Sequence, residues 1–160
     1  MRTTARRAPR GKTGTLGIAV RLAFTDDDYL TLQVIGPGMA GIPYDCAIAV
    51  SMKCGAFSGA VEAWLEGSEV GAFIESLSTL DATLHGKAAL LSNDGRALKI
   101  VLAPADSLGH FALEVQMTAE IAHGSKTFQS SATGVFLLEG QAVSQVCKAL
   151  IEGVGGKSDA

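Results

Sequence analysis

Apolar and polar residues alternate along much of this chain, with the period of two that is typical of β-strands with one buried face. In residues 109–120 the odd positions from Phe111 to Ala119 are apolar, and the even positions are mostly polar. Residues 126–137 repeat the pattern, and the sequence His-Gly-Ser at 123–125 separates the two segments. These features predict two long strands joined in a hairpin.

The preceding segment has the same pattern. Residues 83–91 and 96–103 alternate, and Asn-Asp-Gly at 93–95 lies between them. Asp and Gly tolerate the positive φ that a tight hairpin turn requires. Residues 83–137 are therefore predicted to form a four-strand meander.

The first half of the chain is also predicted to be β-structure. Four segments have an apolar run or an alternating face, and they are residues 16–24, 29–35, 45–54 and 57–65. Three aspartates at 26–28 form a turn between the first two, and Gly-Pro-Gly at 36–38 ends the second.

Two segments have helical spacing instead. After Ser68, a candidate N-cap, apolar residues recur at positions 70, 73, 74, 77 and 80. From Gln141 they recur at positions 143, 146, 147 and 150, and Gly153 is placed to end that helix. Both helices are predicted to lie with one apolar stripe against a sheet.

The predicted fold class is α+β: an antiparallel sheet system of seven or eight strands, with one amphipathic helix in mid-chain and one at the end. We expect one domain over residues 14–154, a disordered basic tail over residues 1–13 and a frayed segment over residues 155–160. The tail is open to two other interpretations, an arm that contacts acidic surfaces or a fragment of a targeting peptide.

Charge is distributed unevenly. The net charge is −3, but residues 1–13 contain five basic side chains and no acidic one, whereas residues 14–160 contain 8 basic and 16 acidic side chains. An acidic body repels polyanions, so we expect no nucleic-acid binding. No apolar run approaches the ~18 residues of a membrane span, and no membrane partner is expected. The three cysteines lack CxxC spacing, which favours free thiols and a cytoplasmic location.

Motifs for catalysis are missing from the sequence. There is no G-x-S-x-G. The glycine pattern at 36–41 follows an antiparallel-type strand with no helix after it, unlike a dinucleotide site. The Gly-Lys-Ser triplet at 156–158 follows a helix, whereas a phosphate-binding loop follows a strand. We predict no catalytic residue and no cofactor.

His85, His110 and His123 could provide a metal site only if the fold brought them together. Glu114 shares the predicted polar face of His85 and His110, and two imidazoles with a carboxylate suit zinc. The strand predicted at 96–103 separates His85 from His110. We therefore expect solvated histidines and no metal.

A set of packing and turn motifs in residues 57–151 resembles a known family. The set comprises Phe57-Ser58-Gly59, Val61 to Leu65, the Val70–Phe73–Leu77 stripe, Leu84 to Ala88, Asn93-Asp94-Gly95, Gly109-His110-Phe111 and Glu139-Gly140-Gln141. It is similar to the WapI-type family of small bacterial proteins, which is grouped with the immunity proteins of polymorphic toxin systems. The resemblance implies the fold and a protein partner, and it provides no catalytic residue.

Two functions are consistent with these observations. The first is a non-enzymatic protein-binding module, an immunity-type antitoxin whose acidic body would suit a basic toxin; a homo-oligomer is left open. The alternative is a small-molecule-binding or enzymatic domain with its site on the polar face of the sheet. The candidate binding residues share that face, and they are Lys87, Lys99, His110, Glu114, Gln116 and Gln129.

Overall fold

A computed structural model of the protein describes residues 2–6, 19–37 and 41–155. The strands form two antiparallel meanders, in which each strand pairs with the next along the chain. Sheet I contains β1 (Arg2–Arg6), β2 (Ala19–Ala23), β3 (Tyr29–Pro37), β4 (Cys46–Cys54) and β5 (Phe57–Leu65). Sheet II contains β6 (Ala88–Leu91), β7 (Leu98–Pro104), β8 (His110–His123) and β9 (Lys126–Glu139).

Helix α1 (Gly67–Thr83) connects the two sheets, and a 3₁₀ turn (Gly140–Ala142) leads from β9 into α2 (Val143–Gly155). The predicted α+β class with antiparallel sheets and two helices is confirmed. Strands β2–β9 correspond to the eight strand segments predicted from the sequence. Their division into two sheets results from α1, which carries the chain away from β5 before β6 begins.

Strand β9 crosses sheet I instead of running beside it. Ala132 lies under Gly59 of β5, Gly134 lies against Met52 and Cys54 of β4, and Phe136 stacks on Phe24, just after β2, with ring centroids 4.1 Å apart. Alternate residues of β9 thus contact β5, β4 and the segment after β2. The two inner faces enclose the core in this crossed arrangement.

The core is built from the residues that alternation and helical spacing predicted. Leu98, Ile100, Leu113 and Val115 of sheet II are fully buried, and the apolar stripes of both helices are buried except for Ile74 of α1, which is partly buried. Helix α2 packs against β2, β3 and α1. Cys46 and Cys147 are buried free thiols, and burial, assisted by the nearby charges of Asp45 and Asp81, raises the pKa of both to about 11.

Three local predictions are wrong. Residues 83–87 are not strand, because α1 continues to Thr83 and ends at Leu84 in the left-handed conformation (φ 56°), leaving β6 only Ala88–Leu91. Ser68 is not the N-cap: the cap position is Glu66, and the Asp45 carboxylate accepts the Gly67 N–H at 3.2 Å. Gly153 does not end α2, because the helix continues to Gly155. A Cβ at Gly153 would lie 3.0 Å from the Cβ of Leu32, so this glycine permits close packing on β3.

The N-terminal segment differs from the predicted disordered tail over part of its length. Arg2–Arg6 form β1, an edge strand that pairs with β2 from Arg2 opposite Ala23 to Arg6 opposite Ala19. The rest of the predicted tail, and residues 156–160 of the predicted frayed segment, lie outside the described residues. The assignment of residues 14–154 to one domain stays a prediction.

Candidate functional site

The outer face of sheet II is the side that points away from sheet I, and it carries the polar candidates from the sequence. Strands β7 and β8 alternate regularly between buried and less buried positions, which places Lys99, Glu114 and Gln116 on this face. His110 is the first residue of β8, Gln129 lies near the start of β9, and Lys87 is exposed just before β6. Pairing then decides which of the six meet.

Three of the candidates come together at one end of the face. Lys99 pairs with Gln116 across β7 and β8, and Gln129 Nε2 donates to Glu120 Oε1 at 3.2 Å. With Gly95, Arg96 and Thr118, the side chains of Lys99, Gln116 and Gln129 line a shallow depression of about 450 Å³. Its cations and amides suit a hydrated anionic or amide group.

His110 lies at the opposite end, between two carboxylates. Its Nδ1 is 2.6 Å from Asp106 Oδ2, and its Nε2 is 3.8 Å from Glu139 Oε2. The hydrogen bond to Asp106, followed by the charges of Asp106 and Glu139, raises the pKa of His110. The same hydrogen bond, with backbone N–H groups of the loop, lowers the pKa of Asp106.

An apolar belt separates the two polar ends. We define it as Val101, Ala103, Ala112, Val135 and Leu137, with Glu114 held between Val101 and Val135 of the neighbouring strands. Leu137 is 74% exposed and Val135 is 48% exposed. Gln116 and His110 are six positions apart along β8, which corresponds to roughly 20 Å. The five candidates on β7, β8 and β9 therefore share a face and do not converge on one polar concavity, and Lys87 lies outside the strands.

The belt is the part of the site that the sequence reasoning missed. Inward orientation of Phe136 requires Val135 and Leu137 to point outward, so the alternation of β9 contained the signal. Leu108, in the loop before His110, is 81% exposed and was also missed. Val135 and Leu137 lie in an apolar run at 135–138, which resembles a core segment unless the alternation of side-chain direction is taken into account.

In the part of the chain that the structure describes, no three His, Cys, Asp or Glu side chains lie close enough together to bind a metal ion. His85 lies in the turn after α1 and is not on a strand of sheet II, in contrast to the sequence prediction. Neither α1 nor α2 has the length and apolar character of a membrane-spanning helix, and the described ranges contain no other α-helix.

A family model described as "Immunity protein WapI-like family" matches residues 21–148. The matched range extends from β2 into α2 and includes all of sheet II. This chain belongs to the immunity protein WapI-like family. No curated protein and no solved structure is similar enough to the chain to be matched with it. The WapI-like match covers most of the fold, so the outer face of sheet II is part of what the family model describes.

Proposed function

We propose that this WapI-like protein is a non-enzymatic immunity protein that binds a toxin protein and neutralises it, with the outer face of sheet II as the main contact. The observation that carries the proposal is the family match over residues 21–148, combined with an exposed apolar belt on a sheet face inside that range. A family of immunity proteins implies a protein partner.

The outer face has the composition of a protein-binding surface. Protein interfaces concentrate apolar contact at the centre and place polar groups around it, and a few central side chains provide most of the affinity. Here Leu137 and Val135 occupy the centre, while Lys99 and Gln116 lie at one end and His110 at the other. The candidates chosen from the sequence would thus act as the polar rim.

The charge of the body supports a basic partner. Residues 14–160 carry twice as many acidic as basic side chains, 16 against 8. Complementary potentials accelerate association and discriminate against partners of like charge. Glu114 is at the centre of the belt and would be the one charge desolvated there, so a cation opposite it would be needed for tight binding.

The free thiols favour a cytoplasmic site of action. Cys46, Cys54 and Cys147 are unpaired, and disulfides are uncommon where the thiol pool is reduced. A toxin that acts inside the cell would be met in the same compartment.

Co-expression with the protein encoded next to this gene tests the proposal. Cells that produce a toxic neighbour are expected to grow only when the WapI-like protein is present, and the purified pair should elute as a complex. Leu137→Asp should abolish both results, because it places a charge in the belt. Ile42→Asp is the matched control, since Ile42 is 47% exposed in the loop before β4, away from sheet II.

Two results would contradict the proposal. One is rescue that is equally strong with Leu137→Asp and with the wild-type chain, provided that both fold. The other is capture of a small molecule as the only ligand, which would favour the alternative of a small-molecule site on the polar end of the face.

A further inference from the structure

A cleft opens between the two sheets at a place where, within residues 2–6, 19–37 and 41–155, neither sheet is completed by a further strand. It encloses about 370 Å³ between β5, the β6–β7 turn and β8. Its wall residues are Ala60, Val61 and Glu62 from β5, Asp94, Arg96 and Ala97 from the turn, and Thr118, Ala119 and Glu120 from β8. None of the sequence candidates lies in it, and it is separate from the apolar belt.

Two backbone hydrogen bonds close one end of the cleft. Asn93 N–H donates to the Trp64 carbonyl at 2.9 Å, and Thr118 N–H donates to the Ala97 carbonyl at 3.0 Å. The first bond shows that the backbone groups of Trp64 point away from β4. In an antiparallel strand every second residue points the same way, so those of Glu62 and Ala60 do too.

These backbone groups of β5 have no partner in the part of the chain that is described. Among the described residues β5 pairs with β4 alone, and no other backbone hydrogen bond from them reaches Ala60 or Glu62. Glu120 is in the same position on β8, because β7 begins at Leu98, opposite Met117, and ends the pairing there. The cleft is thus bounded by two open strand edges, which are templates for an added strand.

The side chains around the cleft define what such a strand would carry. Val61 and Ala97 form an apolar floor that packs against the core. Glu62, Asp94 and Glu120 stand around it with Arg96 as the only cation of the lining. Hydrogen bonds from the Ser92 hydroxyl and from the Arg96 and Ala97 N–H groups lower the pKa of Asp94 to about 2, so it is charged at neutral pH. The surplus of carboxylates favours a basic segment.

We propose that this cleft binds an extended, basic segment of the partner protein, which adds a strand to the free edge of β5. The proposal rests on the proposed function for the existence of a protein partner. Main-chain hydrogen bonds to Ala60 and Glu62 supply affinity in this mode, and side chains select the sequence. A second copy of this chain is disfavoured as the occupant, because pairing β5 with β5 would bring Glu62 of each copy close to the other.

A synthetic peptide tests the proposal with the full chain. The probe is a capped heptapeptide of alternating Lys and Val, and its binding is followed by amide NMR shifts and by hydrogen exchange. We expect slower exchange at Ala60 and Glu62 in its presence. Two control peptides should not bind: one with N-methyl groups on alternate amides, which removes strand pairing, and one with Glu in place of Lys.

Variants separate a specific site from general attraction to an acidic protein. Glu62→Lys should weaken binding of the Lys-Val peptide by about tenfold or more, because it reverses a charge at the edge that pairs. Glu152→Lys, an equal change of charge on the exposed side of α2, should leave affinity unchanged. Equal effects of the two variants, or unchanged affinity on N-methylation, would overturn the cleft proposal.

The test also distinguishes failure of the cleft from failure of the proposed function. If Leu137→Asp abolishes rescue but the affinity of the peptide is unchanged by Glu62→Lys, the cleft proposal is rejected and the sheet II interface is retained. If the peptide binds as expected but Leu137→Asp still rescues growth fully, the cleft proposal is retained and the apolar belt is rejected as the main contact.

Discussion

Neighbouring residues of β8 have opposite environments, and this contrast determines what each can do. Leu113 is fully buried between β7 and β9, whereas Glu114 is partly exposed on the outer face. One residue of shift in register would exchange the two. The parity of the strand therefore decides which side chains stabilise the core and which are available to a partner.

We expect Leu113→Ala to lower the free energy of unfolding by about 2–5 kcal/mol, because it removes buried methyl groups and leaves a cavity. Glu114→Ala should change it by less than about 0.5 kcal/mol. Urea denaturation of both variants measures the difference. Equal stability of the two would show that this strand faces the other way.

The ion pair of His110 with Asp106, at the edge of the proposed interface, contributes to the stability of the fold in a pH-dependent way. The raised pKa of His110 means that stabilisation is fully present below the ordinary histidine pKa of about 6.5 and is lost as pH rises through the raised value. The lowered pKa of Asp106 means that stabilisation is present above about pH 3.9 and is lost as pH falls through the lowered value. The pair is thus most stabilising between these two limits.

An NMR titration of the His110 ring tests this ion pair. In the wild-type chain its pKa should lie above the ordinary value, and in Asp106→Asn it should fall back towards that value. A His110 pKa that Asp106→Asn does not change would show that the contact is absent in solution.

At the scale of elements, α1 begins where a loop passes close to its backbone. A Cβ on Gly67 would lie 2.0 Å from the Pro43 carbonyl oxygen and 3.1 Å from the Asp45 nitrogen. Gly71, one turn later, has only Tyr44 at 4.0 Å. The same substitution should therefore have opposite effects at the two positions.

Gly67→Ala is expected to destabilise the protein by several kcal/mol or to prevent folding, because backbone atoms must move to accommodate the methyl group. Gly71→Ala should stabilise it by about 0.5–1 kcal/mol, since alanine is the better residue in a helix interior. Thermal unfolding followed by circular dichroism measures both. A destabilised Gly71→Ala variant would mean that α1 is packed more tightly there than the structure indicates.

At the scale of the whole molecule, the acidic body should govern the rate of partner binding. Raising ionic strength from 0.1 M to 1 M shortens the Debye length from about 10 Å to about 3 Å. Association with a basic partner should slow by roughly tenfold or more over that range, because electrostatic steering is screened. Surface plasmon resonance with the captured partner measures the rate.

Charge variants locate the steering surface within the molecule. Glu114→Lys and Glu120→Lys, both on β8, should reduce the association rate at low salt more than Glu152→Lys on α2. Their effect should disappear at 1 M salt. An association rate that does not depend on salt would exclude an acidic interface and favour contact through the apolar belt alone.

In β3, β4, β7, β8 and β9 the sequence by itself determined which residues face inward, because side-chain direction alternates with every residue and needs no knowledge of neighbours. It also located the turns at residues 93–95 and 123–125, where Gly95 and Gly124 adopt positive φ. The polar candidates Lys99, Glu114 and Gln116 were assigned to the correct face for the same reason.

Tertiary structure alone decided how these faces are assembled. The capping of Gly67 by Asp45 depends on a contact between segments that are 22 residues apart in the chain. Two further features also depend on contacts between distant segments. They are the separation of the polar candidates into two ends by the apolar belt, and the cleft between the open edges of β5 and β8. Strand pairing and crossing involve residues far apart in the chain, and the local alternation that orients a side chain contains no information about which strand lies next to it.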